Sequence, residues 1–387
     1  MAKEIQGLTP PMGWNSWNTF GEAIHEDLIR ETADIMAEEG FRDAGYDYLV
    51  IDDCWSLKER GPSGELREDP AKFPSGIKAL ADYVHGKGLK FGMYSCCGVK
   101  TCAGYPGSFG REFQDARQFA GWGVDFLKYD NCFKPQTLSS EYLFRRMGLA
   151  LKNCGRDIIF SACQWGTEDV HQWIRASGAE LFRSTYDIRN EWASIKEIAL
   201  SQIDKQAFSG NYCHNDLDML VVGMYDKGHN KAVTTGKGCS VREYQTHFAL
   251  WAMLNSPLMI GCDLRTLDEA SRKILLNEEL IAVNQDPCCR SAYRLDNHHL
   301  KNNSFILVKM LSSGDLALGF FNLEDEPCVI TLDFWDLGLP QNAGFCFQLR
   351  DLYTHETLGR KKDGMAVKLE PHASAVYRLT ADRGEHA

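Results

Sequence analysis

The chain has 387 residues, with 42 Lys plus Arg against 53 Asp plus Glu and a formal net charge of −11. A content of 44% hydrophobic and 25% charged residues excludes a disordered or fibrous protein and provides for a sizeable core. The negative field repels nucleic acid and anionic membrane surfaces, so a neutral or cationic ligand is favoured.

The N-terminus, Met-Ala-Lys-Glu-Ile-Gln-Gly, shows no apolar h-region and no small-residue cleavage site. No run of about 18 apolar residues occurs, so no membrane span is expected and the expected location is cytoplasmic. The 14 cysteines include the adjacent pairs Cys96-Cys97 and Cys288-Cys289 but no CxxC, which argues for packed thiols and against structural zinc. Monomer and homo-oligomer both stay open.

Between about residues 10 and 285, short apolar runs alternate with amphipathic stretches. Strands are predicted at 12–17, 48–53, 89–94, 126–130, 158–163, 181–186, 219–222 and 258–262, several of them continuously apolar as in a buried parallel sheet. Helices are predicted at 27–39, 77–85, 113–119, 141–152, 192–201, 244–254 and 267–276, with Gly40, Gly86 and Gly123 placed as C-terminal stops. Eight strand–helix units suit a (β/α)₈ TIM barrel over 1–285; a doubly wound open sheet is the alternative, but no GxGxxG follows any strand. From 286 to 387 the runs 304–310, 316–321, 328–332, 345–349 and 375–379 are short, alternating and separated by turn residues, which predicts a C-terminal antiparallel β-sandwich. The residues from 382 onward read as a loose polar tail.

A parallel barrel carries its active site at the C-terminal strand ends. There the sequence places Asp52-Asp53-Cys54-Trp55, Lys128-Tyr129-Asp130, Cys163-Gln164-Trp165 and Arg183 through Asp187, with Asp218 before the seventh strand and Trp14, Trp17 and Tyr94 nearby. Each Asp alone reads as a helix cap or turn former, and an acidic cluster also suits Mg²⁺ or Ca²⁺. Recurrence beside Trp, Lys and Arg favours a polar-ligand site. Carboxylates accept hydrogen bonds from sugar hydroxyls, Trp faces complement the C–H face of a pyranose, and nothing cradles phosphate. Two aspartates at different strand ends also supply the pair that glycoside hydrolysis needs.

The blocks Pro11-Met12-Gly13-Trp14-Asn15-Ser16-Trp17, Ile51-Asp52-Asp53-Cys54-Trp55 and Lys100-Thr101-Cys102-Ala103-Gly104-Tyr105-Pro106-Gly107-Ser108 follow in order. So do Leu127-Lys128-Tyr129-Asp130-Asn131-Cys132, Asn215-Asp216-Leu217-Asp218-Met219-Leu220 and Ser256-Pro257-Leu258-Met259-Ile260-Gly261. Together they resemble glycoside hydrolase family 27, the α-galactosidases and α-N-acetylgalactosaminidases. The resemblance spans nearly the whole chain and implies the same barrel-plus-sandwich fold.

It also implies a retaining double displacement with Asp130 as nucleophile and Asp187, in an Arg-x-x-x-Asp pattern with Arg183, as acid/base. Asp187 is expected to start protonated, its pKa raised by Asp130 and partial burial, with Arg183 expected to bind the sugar 2-OH region and counter charge on Asp187. Lys128, two residues before Asp130 and on the same side of the strand, is expected to hold Asp130 ionised and bind a sugar hydroxyl. Asp52 and Asp53 match the pair that grips the 4-OH and 6-OH. Trp14, Tyr94 and Met219 match the apolar walls, and Asp218 a supporting carboxylate. Cys163, Gln164 and Trp165 stand where the family discriminates at C2, and the large polar Gln164 favours a free 2-OH over an acetamide. Cys102 and Cys132 match a disulfide pair beside the nucleophile, whereas Cys54 lacks the partner that relatives carry in the preceding loop. His214 stands where many relatives have Trp, a difference expected to affect the mouth.

The implied activity is therefore exo-α-galactosidase, without cofactor or metal and resistant to chelation. An α-N-acetylgalactosaminidase and a β-L-arabinopyranosidase are the alternatives within the family. A sugar-binding protein that has lost the chemistry and a metal-dependent hydrolase are alternatives outside it.

Overall fold

The computed structural model describes residues 8–295, 303–339 and 346–382. Eight parallel strands form its first sheet: β1 (Met12–Asn15), β2 (Tyr48–Val50), β3 (Lys90–Cys96), β4 (Phe126–Asp130), β5 (Ile159–Cys163), β6 (Leu181–Arg183), β7 (His214–Asp216) and β8 (Leu258–Ile260). The order is β7-β6-β5-β4-β3-β2-β1-β8. Helices over Glu26–Glu38, Ile77–Gly86, Glu112–Trp122, Ser140–Lys152, Trp192–Gln202 and Val241–Met253 cover its outside. Their starts are fixed locally: Ser139 accepts from Tyr142 N–H, and Ser240 with Glu243 forms a reciprocal capping box. Gly123 ends its helix in the left-handed conformation as expected, but Gly86 lies inside its helix and Gly88 takes the positive φ instead.

The seventh strand differs from expectation. The polar His214–Asp216 pairs with β6, while the apolar run 219–222 contributes a single residue to pairing. The left-handed Asp218 (φ 78°) breaks the chain between the two pieces. Beyond it, Leu220 donates to Met259 O at 2.7 Å and accepts from Gly261 N–H at 3.0 Å, closing the sheet onto β8. Asp218 thus follows β7 and does not precede it.

Alternation along the strands decides what enters the barrel. Tyr48, Val50, Phe126, Ile159, Leu181, Met219 and Met259 form an inner apolar layer, whereas Leu49, Leu127, Phe160 and Phe182 pack outward against the helices. Continuing inward from Phe126 brings Lys128 and Asp130 toward the mouth, and from Ile159 it brings Cys163.

The remaining strands are β9 (Tyr293–Arg294), β10 (Ser304–Met310), β11 (Leu316–Asn322), β12 (Cys328–Asp333), β13 (Cys346–Asp351), β14 (Thr357–Lys362), β15 (Gly364–Leu369) and β16 (Ser374–Asp382). They build a six-stranded antiparallel sheet, β14-β13-β16-β11-β10-β9, and a two-stranded sheet, β12-β15. Ile306, Val308, Leu318 and Phe320 meet Ile330, Leu332, Val367 and Leu369 between the sheets. The alternate residues Phe305, Leu307, Ala317 and Phe321 join the barrel's core. Strands β10 and β11 are therefore buried on both faces, which makes them continuously apolar rather than alternating. Of the predicted run 345–349, Phe345 lies outside the described residues, as do 383–387 of the predicted tail.

Candidate active site

Two carboxylates end the second strand. Asp52 is buried and accepts from Asn15 Nδ2 at 2.8 Å and from Lys128 Nζ at 2.7 Å, both on Oδ2. Asp53 accepts from Cys54 N–H at 2.7 Å and from Ala103 N–H at 2.9 Å. Burial pushes the Asp53 carboxyl up to about 6, against those hydrogen bonds. Burial also opposes the charge on Lys128, but Asp52, Cys163 and Asp130 outweigh it and raise its pKa.

Asp130 ends β4 and is 6% exposed. Its Oδ2 accepts from the Tyr94 hydroxyl at 2.9 Å and its Oδ1 from Asn131 N–H at 2.8 Å. Burial raises its pKa, and the Lys128 and Arg183 charges with these two donors pull the other way. Cys102 and Cys132 form a disulfide beside it, with Cα atoms 5.3 Å apart.

Across the mouth, Arg183 gives Nη2–H to Asp187 Oδ1 at 2.5 Å and faces Asp218 Oδ2 at 3.5 Å. Asp187 lies on an irregular segment past β6, and its side chain is 61% exposed. Arg183 holds its carboxyl below the usual range, with partial burial opposing and Lys128 assisting. This corrects the expected upward shift: Asp130's negative charge is answered locally, and the guanidinium is the nearer influence on Asp187 in the unliganded site.

A pocket open to solvent joins these groups, lined by Trp17, Asn18, Asp52, Asp53, Tyr94, Cys102, Lys128, Asp130, Trp165, Arg183, Asp187 and Asp218. Its rim is strained. Cys54, Phe133, Trp165 and Asp218, each just past a barrel strand, all have positive φ, a cost that clusters at functional sites.

A sequence profile described as alpha galactosidase A matches residues 9–286, and one described as alpha galactosidase C-terminal beta sandwich domain matches residues 301–379. The alpha-galactosidase of Cyamopsis tetragonoloba is 41% identical over 381 residues, 98% of this chain and 88% of that protein. The chain belongs to the α-galactosidase family. Alpha-galactosidase I from Mortierella vinacea superposes with a TM-score of 0.89 at 31% identity, covering 98% of both chains. The Saccharomyces cerevisiae α-galactosidase structure with raffinose has a TM-score of 0.89 at 28% identity, covering 97% of this chain and 98% of that one.

Most residues expected from the family resemblance converge on the mouth or its floor. Cys163 and Met219 line the floor, with Asp216 and Asn15. Two residues do not reach it. Trp14 points outward from β1, fully buried, and gives its indole N–H to Cys262 O at 2.8 Å. Trp17 takes the place at the mouth. Gln164 is fully buried and gives Nε2–H to Thr167 Oγ1 at 2.6 Å, because alternation after Cys163 turns it away from the barrel axis. Trp165 lines the mouth at that position. His214 is buried at the first position of β7, the end opposite the mouth.

Tyr94 is more than an apolar wall, since its hydroxyl serves Asp130. Lys128 bonds to Asp52 and influences Asp130 through its charge alone. Asn15, Asn18 and Asp216 were not singled out as site residues, although the period-two pattern of β1 and β7 already faces Asn15 and Asp216 inward. Twelve cysteines are free; Cys54 is buried among them, but Cys288 is exposed and not a packed thiol. Among the described residues, the potential metal-ligand cluster is Cys102, Asp130 and Cys132, and the disulfide withdraws the two thiolates it would require. No described helix is long and apolar enough to cross a membrane.

Proposed function

We propose that the chain is a retaining exo-α-galactosidase that removes terminal non-reducing α-galactosyl residues. The observation that carries this reading is Asp130, buried and aimed into the mouth by Tyr94 and Asn131, with the exposed Asp187 on the opposite rim. Asp52 and Asp53 are placed to accept sugar hydroxyls, and Trp17 and Trp165 offer the apolar platforms.

In the first step Asp130 attacks the anomeric carbon while Asp187 gives its proton to the leaving oxygen. In the second, Asp187 takes a proton from water, which displaces Asp130 and releases the sugar with retained configuration. Asp187 begins ionised under Arg183. A sugar that fills the mouth desolvates this carboxyl and occupies the guanidinium, both of which raise its pKa toward the protonated form the first step uses.

Trp165, rather than Gln164, lines the mouth at the strand end where the family discriminates at C2, and its bulk there supports galactose over its N-acetylated analogue. The raffinose seen in the yeast relative supports an oligosaccharide substrate for this chain too. Twelve free cysteines support a reducing compartment, such as the cytoplasm. The test is turnover of aryl α-galactoside against the α-N-acetylgalactosaminide, β-L-arabinopyranoside and isomaltosyl counterparts, with and without EDTA. The galactoside should be fastest and unaffected by chelation. Faster turnover of any other substrate would overturn the assignment.

A further inference from the structure

Asp187 occupies an irregular segment, 184–190, so no strand or helix fixes its carboxylate. Its position depends on tethers. Arg183 holds the carboxylate, and the Ile188 N–H immediately after it donates to Asp218 Oδ2 at 2.8 Å. The same Asp218 oxygen faces Arg183 Nη1. Asp218 therefore grips the acid/base from both its side-chain partner and its backbone.

Asp218 can do so only from its left-handed conformation, which is unfavourable for a residue with a Cβ. Asp216 supplies the hold: its Oδ1 accepts Asp218 N–H at 2.8 Å. It ends β7 opposite Arg183 in register and faces the floor of the mouth. We propose that Asp216 is a positioning residue for Asp187, locking the Asp218 turn through which Arg183 and the Ile188 amide are aimed. Its role in this proposal runs through the backbone of Asp218 and not through contact with the sugar. This rests on the reading of Asp187 as acid/base.

The test compares kcat/KM for methyl α-galactoside, whose leaving group needs a proton, with that for a dinitrophenyl α-galactoside, which does not. Asp216→Ala should lower the first by about tenfold or more and leave the second within about threefold, the signature of impaired acid catalysis. Asp216→Asn, which keeps an acceptor oxygen at the same reach, should recover most of that loss. Equal losses on both substrates, no loss on either, or no recovery with Asn would overturn the proposal. So would failure of Ala, Ser and Asn variants all to fold, since that marks a purely structural role. Asp187→Ala is the control. If it shows no leaving-group selectivity, the acid/base reading itself fails, an outcome distinct from failure at Asp216.

Discussion

Replacing Tyr94 with Phe removes one hydroxyl from the 2.9 Å bond to Asp130 Oδ2 and leaves the ring in place. Both residues are nearly inaccessible, so water cannot substitute freely for the lost donor. A buried hydrogen bond to a charged group is worth about 1.5–3 kcal/mol. At 1.36 kcal/mol per unit, that corresponds to a pKa change of about one to two units. The sign follows from which form the hydroxyl serves. Tyr94 stabilises the carboxylate, so its loss raises the pKa of a group that burial already holds above its ordinary value. In the free enzyme Asp187 is held below and Asp130 above the ordinary carboxylate value, so the competent form, with Asp130 ionised and Asp187 protonated, is the minor one. Raising the Asp130 pKa should therefore lower the maximum of kcat/KM by about tenfold or more and move its alkaline limb up by about one to two pH units. Well above that limb the rate should be nearly unchanged, since there it depends on Asp187 alone. The assay is kcat/KM for an aryl α-galactoside from acidic to neutral pH. An unchanged maximum with an unmoved alkaline limb would refute this role for Tyr94.

Asp53→Asn tests the buried carboxyl at about 6. The folded state binds its proton more tightly than the unfolded state, whose value is about 4, so this group's contribution to stability is lost as pH rises from about 4 through 6. The Asn variant should thus gain up to about 3 kcal/mol on wild type between those limits in denaturant unfolding, and a constant difference would contradict it. Denatured, unreduced protein should titrate twelve thiols, rising to fourteen after reduction. Fourteen at the outset would deny the Cys102–Cys132 bond. That bond spans 30 residues, so Cys102→Ser with Cys132→Ser should cost about 3–4 kcal/mol of stability, read by calorimetry. The two tryptophans should part: Trp14→Ala lowers stability by about 3–5 kcal/mol, whereas Trp17→Ala leaves the melting temperature nearly unchanged and raises KM. The reverse pattern would restore Trp14 to the mouth.

The barrel was legible because seven of its strands start within one residue of the predicted apolar runs, each followed by a helix, although several end sooner, Tyr48–Val50 and Leu181–Arg183 at half the predicted length. The seventh hid for a physical reason. His214–Asp216 is polar in part because Asp216 faces the floor of the site and Asn215 bonds outward to Ser184 and Gln202, while the apolar run behind it serves closure through Leu220. Strand β14 went unread because Thr357–Lys362 holds one large apolar residue, the exposed Leu358, at the sheet edge. Strand β15 was missed although Val367 and Leu369 of Gly364–Leu369 alternate into the core between the sheets. The carboxylates were legible as types at strand ends. Two of their hydrogen-bond donors were not, because Asn15 reaches Asp52 across 37 residues and the Tyr94 hydroxyl reaches Asp130 across 36. Trp14 and Gln164 misled because a motif gives neighbours in sequence, whereas alternation decides which neighbour faces the sugar. The pairing of Arg183 with Asp187 was legible in their four-residue spacing, but not that the guanidinium outweighs burial to lower the Asp187 pKa.

The central claim is that Asp130 attacks the anomeric carbon. Incubation with a slowly released activated galactosyl donor, such as 5-fluoro-α-galactosyl fluoride, followed by peptide mass mapping, tests it directly. One galactosyl-sized adduct on the peptide carrying Asp130, absent from Asp130→Ala, is the predicted result. An adduct on any other residue, or turnover that inverts the anomeric configuration with no adduct, would contradict it.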